Sequence, residues 1–466
     1  MRRSTTNYKG AFDNTFAYVI IILLCVALAL VVYLHASELN RQEAEQAAQL
    51  QAQLDAMAAP EPTPEPTPEP VRNTKSLQIS FLGDFVCQSR LLSESRHTEI
   101  TDIGKETEST EVSYDFSALL SGLSGLYDAS AYTDCTLVGV LQDADELTDY
   151  RAPALLARAL AETGLDAVNA ANEKILAFNG TEGLVSTAET LSGAGLAALG
   201  ISATEEEFAE TGGIVYRQLD GVKIAFLSYT VNTDDISAAD YPWCVNILVS
   251  DYMSTRATVD TERVEADLAA ARAAGADLIV CHVYWGENYR YYTTVNSNSG
   301  QREMAQYLCD AGVDVLIGSG VKTPEPIEIY QTQRDGQSAN AVIAYSLGNL
   351  ACSYSDLYTN LSACLQLEIF WDIDRGGAWI GSVSYNPVYL LNTGLYDELA
   401  AVEGQFRILD PVAELIAYED GAASELITAS VAADMTTGIE SLRTILGADF
   451  EQTTGGVTLE APAVAQ

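Results

Sequence analysis

The chain has 466 residues, of which 24 are basic and 65 acidic, so its formal net charge is −41, and 48% of the residues are hydrophobic. That apolar fraction can bury a sizeable core and excludes global disorder, and the length fits one large domain or two ordinary ones. The acidity excludes nucleic acid as a partner, because binding it requires a basic surface.

Histidine and cysteine usage further restricts the chemistry. The chain has three histidines, His35, His97 and His282, which leaves few of the imidazoles that commonly bind transition metals. The eight cysteines are scattered singly, with no Cys-x-x-Cys pair. This pattern argues against a structural zinc site and against a disulfide framework.

An uncharged apolar segment runs from Phe16 to Leu34. Nineteen residues at about 1.5 Å each span about 28 Å, close to the hydrocarbon thickness of a bilayer. Basic residues precede the segment and acidic residues follow it, so the positive-inside rule places the N-terminus in the cytoplasm. We predict a cytoplasmic tail over residues 1–15 and a transmembrane signal anchor over 16–35. The globular part of this single-pass cell-membrane protein is then extracellular; the competing interpretation is a cleaved signal peptide.

Two further segments separate the anchor from the rest of the chain. Residues 36–58 lack Gly and Pro and predict a helical stalk, in which a 3–4 spacing of apolar residues allows a weak dimer seam. Residues 59–74 form a linker rich in Pro, Glu and Thr. Its core, "PEPTPEPTPEP", is typical of a stiff polyproline-type spacer.

A helix–glycine–strand unit recurs in the remainder of the chain. In "ALLARALAETGLDAVN", "ERVEADLAAARAAGADLIV" and "REMAQYLCDAGVDVLIG", helical periodicity ends at a glycine that is followed by an aspartate and an apolar strand. Such units build parallel sheets covered by helices. We therefore predict an α/β domain over residues 75–400 with at least six strands, and a C-terminal segment of helices and a tail over 401–466.

Ligands of open α/β sheets bind beyond the carboxyl ends of the strands. The candidate loops are accordingly Gly83-Asp84, Asn172-Glu173-Lys174, Tyr284-Trp285-Gly286, Gly318 to Lys322, and Ser346 to Asn349.

These loops carry ordered motifs: "FLGDFV", "GLDAVNAANEKILAFNG", "ADLIVCHVYWGENY", "DAGVDVLIGSGVKTPEPIEIY" and "IAYSLGNL". Together they resemble the CapA family of bacterial capsule and poly-γ-glutamate synthesis proteins, over roughly Leu77 to Asn392. The resemblance implies the fold of calcineurin-like metallophosphoesterases, a four-layer αββα sandwich with two facing sheets.

The chain departs from the family pattern at the metal-binding positions. The family's histidines fall on Lys174, Tyr284, Gly320 and Lys322. Asp84 and Asn172 are left as the credible ligands, and two oxygen ligands cannot hold a pair of cations. A protonated lysine has no lone pair for a metal. We therefore expect no metal cofactor; a divalent ion, if one is bound after all, would lie at Asp84 and Asn172.

We hypothesise that Lys174 and Lys322 approach Asp84 and replace the metal charge, so that the cleft binds an anion without hydrolysing it. The alternative is that both lysines point into solvent. Trp285 opens an aromatic stretch, "WGENYRYY", that either stacks on a sugar or polymer or packs in the core. We interpret His282 as a strand residue rather than a ligand. The candidate pocket residues are Asp84, Asn172, Lys174, Tyr284, Trp285, Lys322 and Asn349.

The predicted function is that of a CapA-like subunit in the synthesis of capsule, poly-γ-glutamate or another envelope polymer. It would be an inactive relative of the metallophosphoesterases that binds an anionic polymer or its synthesis complex. One alternative is a metal-dependent phosphoesterase with an atypical ligand set around Asp84 and Asn172. Another is a catalytically silent protein that holds partners through its stalk.

Overall fold

The computed structural model describes residues 11–58, 72–101, 109–234, 238, 241–250, 258–286, 295–334, 337–402 and 404–461. The chain divides into two compact units, Met1–Val71 and Arg72–Gln466. A long helix occupies the described part of the first unit, and the second contains the sheets.

The helix of the first unit, α1, spans Ala11–Ala58. Its segment Val19–Gln42 has a mean hydropathy of 2.9 and is long and apolar enough to cross a membrane. The large apolar side chains from Val19 to Leu34 are exposed, as a bilayer-facing helix requires. The predicted anchor and stalk are thus one continuous helix. The side chains of the suggested dimer seam lie outside the part that the structure describes.

The larger sheet of the second unit surrounds β1, the strand that carries Asp84. Numbered along the chain, its strands in spatial order are β18 (Phe406–Leu409), β17 (Ala378–Asn392), β16 (Leu361–Asp372), β1 (Thr74–Val86), β4 (Tyr132–Val138), β7 (Ala167–Asn169) and β8 (Ala197–Leu199). Two more strands pair with this row: β15 (Asn349–Ala351) with β1, and β19 (Val457–Thr458) with β17. β1 runs parallel to β4 and antiparallel to β16, so the sheet is mixed.

The second sheet has six strands, in the order β13 (Pro324–Arg334), β14 (Gln337–Leu347), β12 (Val315–Ser319), β11 (Leu278–Tyr284), β10 (Val222–Thr230) and β9 (Val215–Leu219). Its four central strands are parallel. Two small pairs complete the strands: β2 (Arg96–Thr101) with β3 (Ser109–Tyr114), and β5 (Val140–Leu141) with β6 (Arg151–Ala152).

The helices of this unit confirm the recurring helix–glycine–strand pattern. They are α2 (Ser89–Ser93), α3 (Ser117–Leu120), α4 (Leu155–Glu162), α5 (Thr181–Gly193), α6 (Glu205–Thr211), α7 (Thr261–Ala273), α8 (Ser299–Ala311), α9 (Pro411–Glu419) and α10 (Ala429–Leu446). Gly164, Gly275 and Gly312 follow α4, α7 and α8 with positive φ angles of 97°, 80° and 130°. Each glycine ends a helix and lets the chain turn into β7, β11 or β12.

The apolar side chains define four layers. Between the two sheets, Tyr132 of β4 stacks on Phe226 of β10 with ring centroids 4.4 Å apart. The outer face of the larger sheet is covered by α4 and α5, and that of the second sheet by α7 and α8. This αββα sandwich is the predicted fold.

The C-terminal segment differs from the prediction of helices and a tail alone. β18 and β19 both pair with β17, so residues beyond 400 extend the larger sheet. α10 packs on the same core through Val431 and Met435. The domain therefore continues past the predicted boundary at residue 400. Short strands such as β18 give too little alternation for the sequence to predict them.

Candidate functional site

Asp84 is the acidic centre of the candidate site and lies at the carboxyl end of β1 with 3% of its surface exposed. Its Oδ2 accepts a hydrogen bond of 2.7 Å from the backbone N–H of Gly320, in the loop after β12. Its own backbone N–H donates to the carbonyl of Gly348 over 2.9 Å. Asp84 thus joins the edges of both sheets, as the rule for α/β sheets predicts.

Gly320 can occupy its position because it has no side chain. Its φ is +84°, and an added Cβ would lie 2.7 Å from the Tyr284 ring. Any larger residue would need both a strained backbone and displacement of that ring. The Tyr284 ring lies against Gly320, and both residues occupy positions where the family resemblance expects histidine. The backbone N–H of Gly320 then binds the carboxylate from close range.

Burial raises the pKa of the Asp84 carboxyl to about 7, and the hydrogen bond from Gly320 opposes part of that rise. A buried carboxylate is costly because the protein solvates its charge less well than water does. Asp84 consequently exchanges its proton near neutral pH rather than remaining a permanent anion.

Asn349 lies beside Asp84, because the two residues are register partners between β1 and β15. Its Nδ2 donates to the carbonyls of Lys322, at 2.7 Å, and Thr359, at 3.2 Å. Its Oδ1 is buried without a hydrogen-bond partner, as is the Oγ of Ser319. These two oxygens can still accept hydrogen bonds at the sheet edge where Asp84 lies.

Asn172, the other predicted ligand, has a structural role. Its Nδ2 donates to the carbonyls of Leu137, Gly139 and Ala170 over 2.9–3.2 Å. Its Oδ1 accepts the backbone N–H groups of Lys174 and Gly139, at 2.9 and 3.3 Å. The amide therefore fixes the loop after β7 and leaves its oxygen already engaged.

Lys174 is directed at carboxylates other than Asp84. Its ammonium forms an ion pair with Asp234 and lies 3.5 Å from Glu173 Oε1. Burial lowers the pKa of Lys174, but the hydrogen bond to Asp234 and the charge of Glu173 outweigh burial, so its pKa is raised. Lys174 is therefore a protonated counter-charge within this small acidic cluster.

Two tyrosines connect the predicted lysines. The Lys174 ammonium lies 4.8 Å from the ring centroid of Tyr150, and the Lys322 ammonium 4.6 Å from that of Tyr354. The two tyrosine hydroxyls are 3.3 Å apart. Cation–π attraction holds each ammonium over a ring. The structure thus places the two lysines on one pair of tyrosines.

Trp285 packs in the core rather than forming an exposed stacking surface. It is fully buried, and its Nε1 donates to the carbonyl of Tyr345 over 2.9 Å. Tyr284 is buried as well, with 2% of its surface exposed. The remainder of the aromatic stretch, residues 287–294, lies outside the described residues.

The sequence did not reveal a buried polar pair between the sheets. His282 Nε2 lies 3.1 Å from Asp134 Oδ2, and the Tyr132 hydroxyl donates to the same oxygen over 3.0 Å. His282 and Asp134 are each about 1% exposed, so this histidine is a strand residue, as predicted. A single aspartate in the apolar strand β4 was the signal available, and nothing in the sequence indicates its partner.

Cys87 follows Asp84 by three residues and is also buried. Burial raises the pKa of its thiol far above the ordinary value. A thiol in such surroundings remains protonated and is a poor nucleophile. The geometry therefore assigns Cys87 to packing.

The site residues do not fit the two-metal centre that the family resemblance implies. Among the described residues, no group of three or more His, Cys, Asp or Glu side chains could hold a metal ion. Asn172 is engaged by backbone groups, and the Lys174 ammonium lies between Glu173 and Asp234. Two cations need several anionic or imidazole ligands to share them. Asp84 with the oxygens of Asn349 and Ser319 is a much poorer donor set.

The fold and the site define a four-layer αββα protein whose polar residues gather where the two sheets present their strand ends. A family model described as "Bacterial capsule synthesis protein PGA_cap" matches residues 78–354, more than half of the chain. The chain belongs to this family, as the motifs predicted.

Proteins of similar sequence support the same family assignment. The capsule biosynthesis protein CapA of Bacillus anthracis is 24% identical over 254 residues, which are 53% of each chain. The PGA biosynthesis protein CapA of Bacillus subtilis is 28% identical over 34% of this chain and 35% of its own. A probable polyglutamine synthesis accessory protein of Mycobacterium tuberculosis is 31% identical over 43% of this chain and 49% of its own. The chain thus spans about half or less of the length of these relatives.

Solved structures with similar arrangements include a calcineurin-like phosphoesterase from Bacillus subtilis, with a TM-score of 0.33 and 12% identity over 79% of this chain and 100% of its own. The NAD nucleotidase of Haemophilus influenzae has a TM-score of 0.36 and 13% identity over 80% of this chain and 60% of its own. The assignment of the αββα architecture rests on the sheets and layers described above.

Proposed function

We propose that this protein is a membrane-anchored, extracellular subunit in the synthesis of capsule, poly-γ-glutamate or a related envelope polymer, and that it binds an anionic group of the polymer without hydrolysing it. The family membership supports the process, and the apolar segment of α1 supports the anchor. No metal takes part in the proposed binding.

One observation carries the binding role: the ammonium of half-buried Lys322 lies over the Tyr354 ring, in the loop whose Gly320 binds Asp84. The backbone at Lys322 has a φ of +69°, and its carbonyl is held by Asn349. A cation placed on a fixed backbone loses less entropy when it binds an anion than a mobile surface lysine does. Lys322 follows Gly320, whose backbone N–H binds Asp84, by two residues, so we assign the contact with the anionic group to Lys322.

The experiment compares two lysines that both lie over tyrosine rings. The full chain in detergent is titrated with poly-γ-glutamate at several salt concentrations, alongside Lys322→Ala and Lys223→Ala. Lys223 is the matched control, because its ammonium lies 5.0 Å from the Tyr216 ring on a different part of the sheet. We expect salt-sensitive binding that Lys322→Ala weakens about tenfold, equivalent to about 1.4 kcal/mol, while Lys223→Ala leaves it unchanged.

The competing metal-dependent phosphoesterase is tested on the same preparation. Hydrolysis of bis(p-nitrophenyl) phosphate is measured with added manganese, for the natural chain and for Asp84→Asn. We expect the rate of hydrolysis with manganese to be no higher for the natural chain than for Asp84→Asn. Turnover that requires both manganese and Asp84 would overturn the non-catalytic role, and equal loss of polymer binding in both lysine variants would overturn the assignment of Lys322.

A further inference from the structure

A cavity of about 390 Å³ lies between residues 352–361, the end of β17 and the helix α10. Its volume falls in the range of roughly 300–1,000 Å³ that is typical of ligand pockets. Most of its lining lies beyond residue 354, where the match to the family model ends. The cavity is therefore a feature of this chain's own C-terminal region.

Tyrosines form part of the lining of this cavity. Four contribute to it: Tyr354, Tyr358, Tyr389 and Tyr396. The hydroxyls of Tyr389 and Tyr396 are 3.4 Å apart, and the latter donates to Asp434 Oδ2 over 2.8 Å. These contacts hold two aromatic rings and one carboxylate in a fixed arrangement on the cavity wall. Rigid aromatic surface is effective for binding because little side-chain freedom is lost.

The other polar groups of the lining suit an uncharged ligand. They include the amides of Asn360 and Asn392 and the hydroxyls of Thr437 and Ser441. Thr437 and Ser441 donate to carbonyls of their own helix, so their oxygens can still accept hydrogen bonds. Among the described residues that line the cavity there is no lysine or arginine, whereas Asp356 and Asp434 are acidic. Charge complementarity therefore disfavours a polyanion here.

Exposed apolar groups flank the opening. Leu357 is 70% exposed and Leu395 is 72% exposed, although both line the cavity. Tyr358, the next residue after Leu357, has a φ of +66°, a conformation that bulky residues rarely adopt. Such a conformation persists only where the surrounding structure imposes it, and it is characteristic of functional sites. The rim thus offers apolar contact around a polar interior.

We propose that this cavity binds an uncharged glycan, with about one or two hexose rings inside. A hexose has an apolar face of C–H groups that packs on a tyrosine ring, and a rim of hydroxyls that pairs with carboxylate, amide and hydroxyl groups. Tyr354 belongs to this cavity and also lies beneath Lys322, so the glycan would lie next to the proposed anion site. The chain would then hold a neutral glycan and an anionic polymer side by side.

The test uses two uncharged probes, the tetramer of N-acetylglucosamine and the glucose tetramer cellotetraose. Each is titrated into the full chain in detergent by calorimetry, with saturation-transfer NMR to identify the sugar protons in contact. We expect saturable binding of at least one tetramer, with little dependence on salt. The double variant Leu357→Ser, Leu395→Ser should weaken it about fivefold or more, because both side chains flank the opening.

The matched control is Ile416→Ser, which removes a 58% exposed apolar side chain on α9 that does not line the cavity. It should bind the tetramers like the natural chain. Asp434→Asn, which keeps an oxygen for the Tyr396 hydroxyl, should weaken binding while leaving the melting temperature unchanged. Failure of both tetramers to saturate the protein, or equal weakening by Ile416→Ser, would overturn the proposal. Lys322→Ala should leave tetramer binding unchanged, so this result is distinguishable from failure of the polymer-binding role.

Discussion

Asp84 Oδ2 and the backbone N–H of Gly320 are joined by a hydrogen bond of 2.7 Å across 236 positions of the chain. The bond connects the first strand of one sheet to a loop of the other. In this protein a backbone N–H and a buried environment surround the carboxylate, where the family resemblance expects histidines. This replacement of histidines, together with Lys322 in the same loop, distinguishes the site from a two-metal centre.

Asp84 should make the folded state less stable as pH rises. Its pKa in the folded protein is about 7, above the ordinary value of 3.8 for an aspartate, so the folded state binds the proton more tightly than the unfolded state. Its contribution is most favourable below pH 4, declines between pH 4 and pH 7, and costs up to about 4 kcal/mol above that window. We expect Asp84→Asn to raise the free energy of unfolding at pH 8 and to change it little at pH 4.

Urea unfolding of the full chain in detergent at both pH values checks this prediction. Asp145→Asn is the control, because Asp145 is exposed and should alter stability equally little at either pH. A lower free energy of unfolding for Asp84→Asn at pH 8 would contradict the prediction. It would mean that a nearby positive charge stabilises the Asp84 carboxylate.

Lys174 should contribute to the stability of the folded protein, because two carboxylates lie close to its ammonium. The side chains of Lys174 and Glu173 are 18% and 3% exposed, and that of Asp234 is 30% exposed. Lys174→Met leaves both carboxylates without their shared cation and should cost roughly 1–3 kcal/mol, less than for a fully buried pair because Asp234 is partly solvated. The double variant Glu173→Gln, Lys174→Met should recover part of that loss. Free energies of unfolding are measured for Lys174→Met, Glu173→Gln and the double variant, and strictly additive losses would contradict the pairing.

His282 should be structural rather than functional. Its contact with Asp134 is about 99% buried on both sides, so His282→Leu removes one of the two groups bound to Asp134 Oδ2, the other being the Tyr132 hydroxyl, and should cost roughly 1–3 kcal/mol. Replacing both residues by leucine should restore much of the stability. Poly-γ-glutamate binding at a temperature where the variants remain folded should be unchanged. Lost polymer binding in a folded His282→Leu variant would assign the histidine to the site.

The helix–glycine–strand units of the domain could be predicted because the sequence patterns that specify them are local. α8, Gly312 and β12 all lie within residues 299–319, and periodicity, a helix-ending glycine and an apolar run determine them in turn. The ordered motifs then located the strand ends where Asp84 and Lys322 lie. Less of the C-terminal region could be predicted, because β18 is defined by its pairing with β17 rather than by its own four residues.

The site partners could not be predicted because they come from distant parts of the chain. Lys174 was expected near Asp84, but Asp234, 60 residues later, provides the closer carboxylate. Tyr150 and Tyr354 meet across 204 positions, and no local pattern marks either one. Sequence spacing predicts which residues reach the edge of the sheet; tertiary packing decides which of them form contacts.

The most direct test of the central claim is the metal content of the full chain, purified without chelators and then incubated with manganese and zinc. Metal content is measured by mass spectrometry after removal of unbound ions, and melting temperatures are compared with and without chelator. We predict far less than one equivalent of metal per chain and the same melting temperature in both conditions, because Lys174 and the backbone around Asp84 replace the ligands of a two-metal centre. Two tightly bound equivalents whose removal lowers the melting temperature would contradict this account.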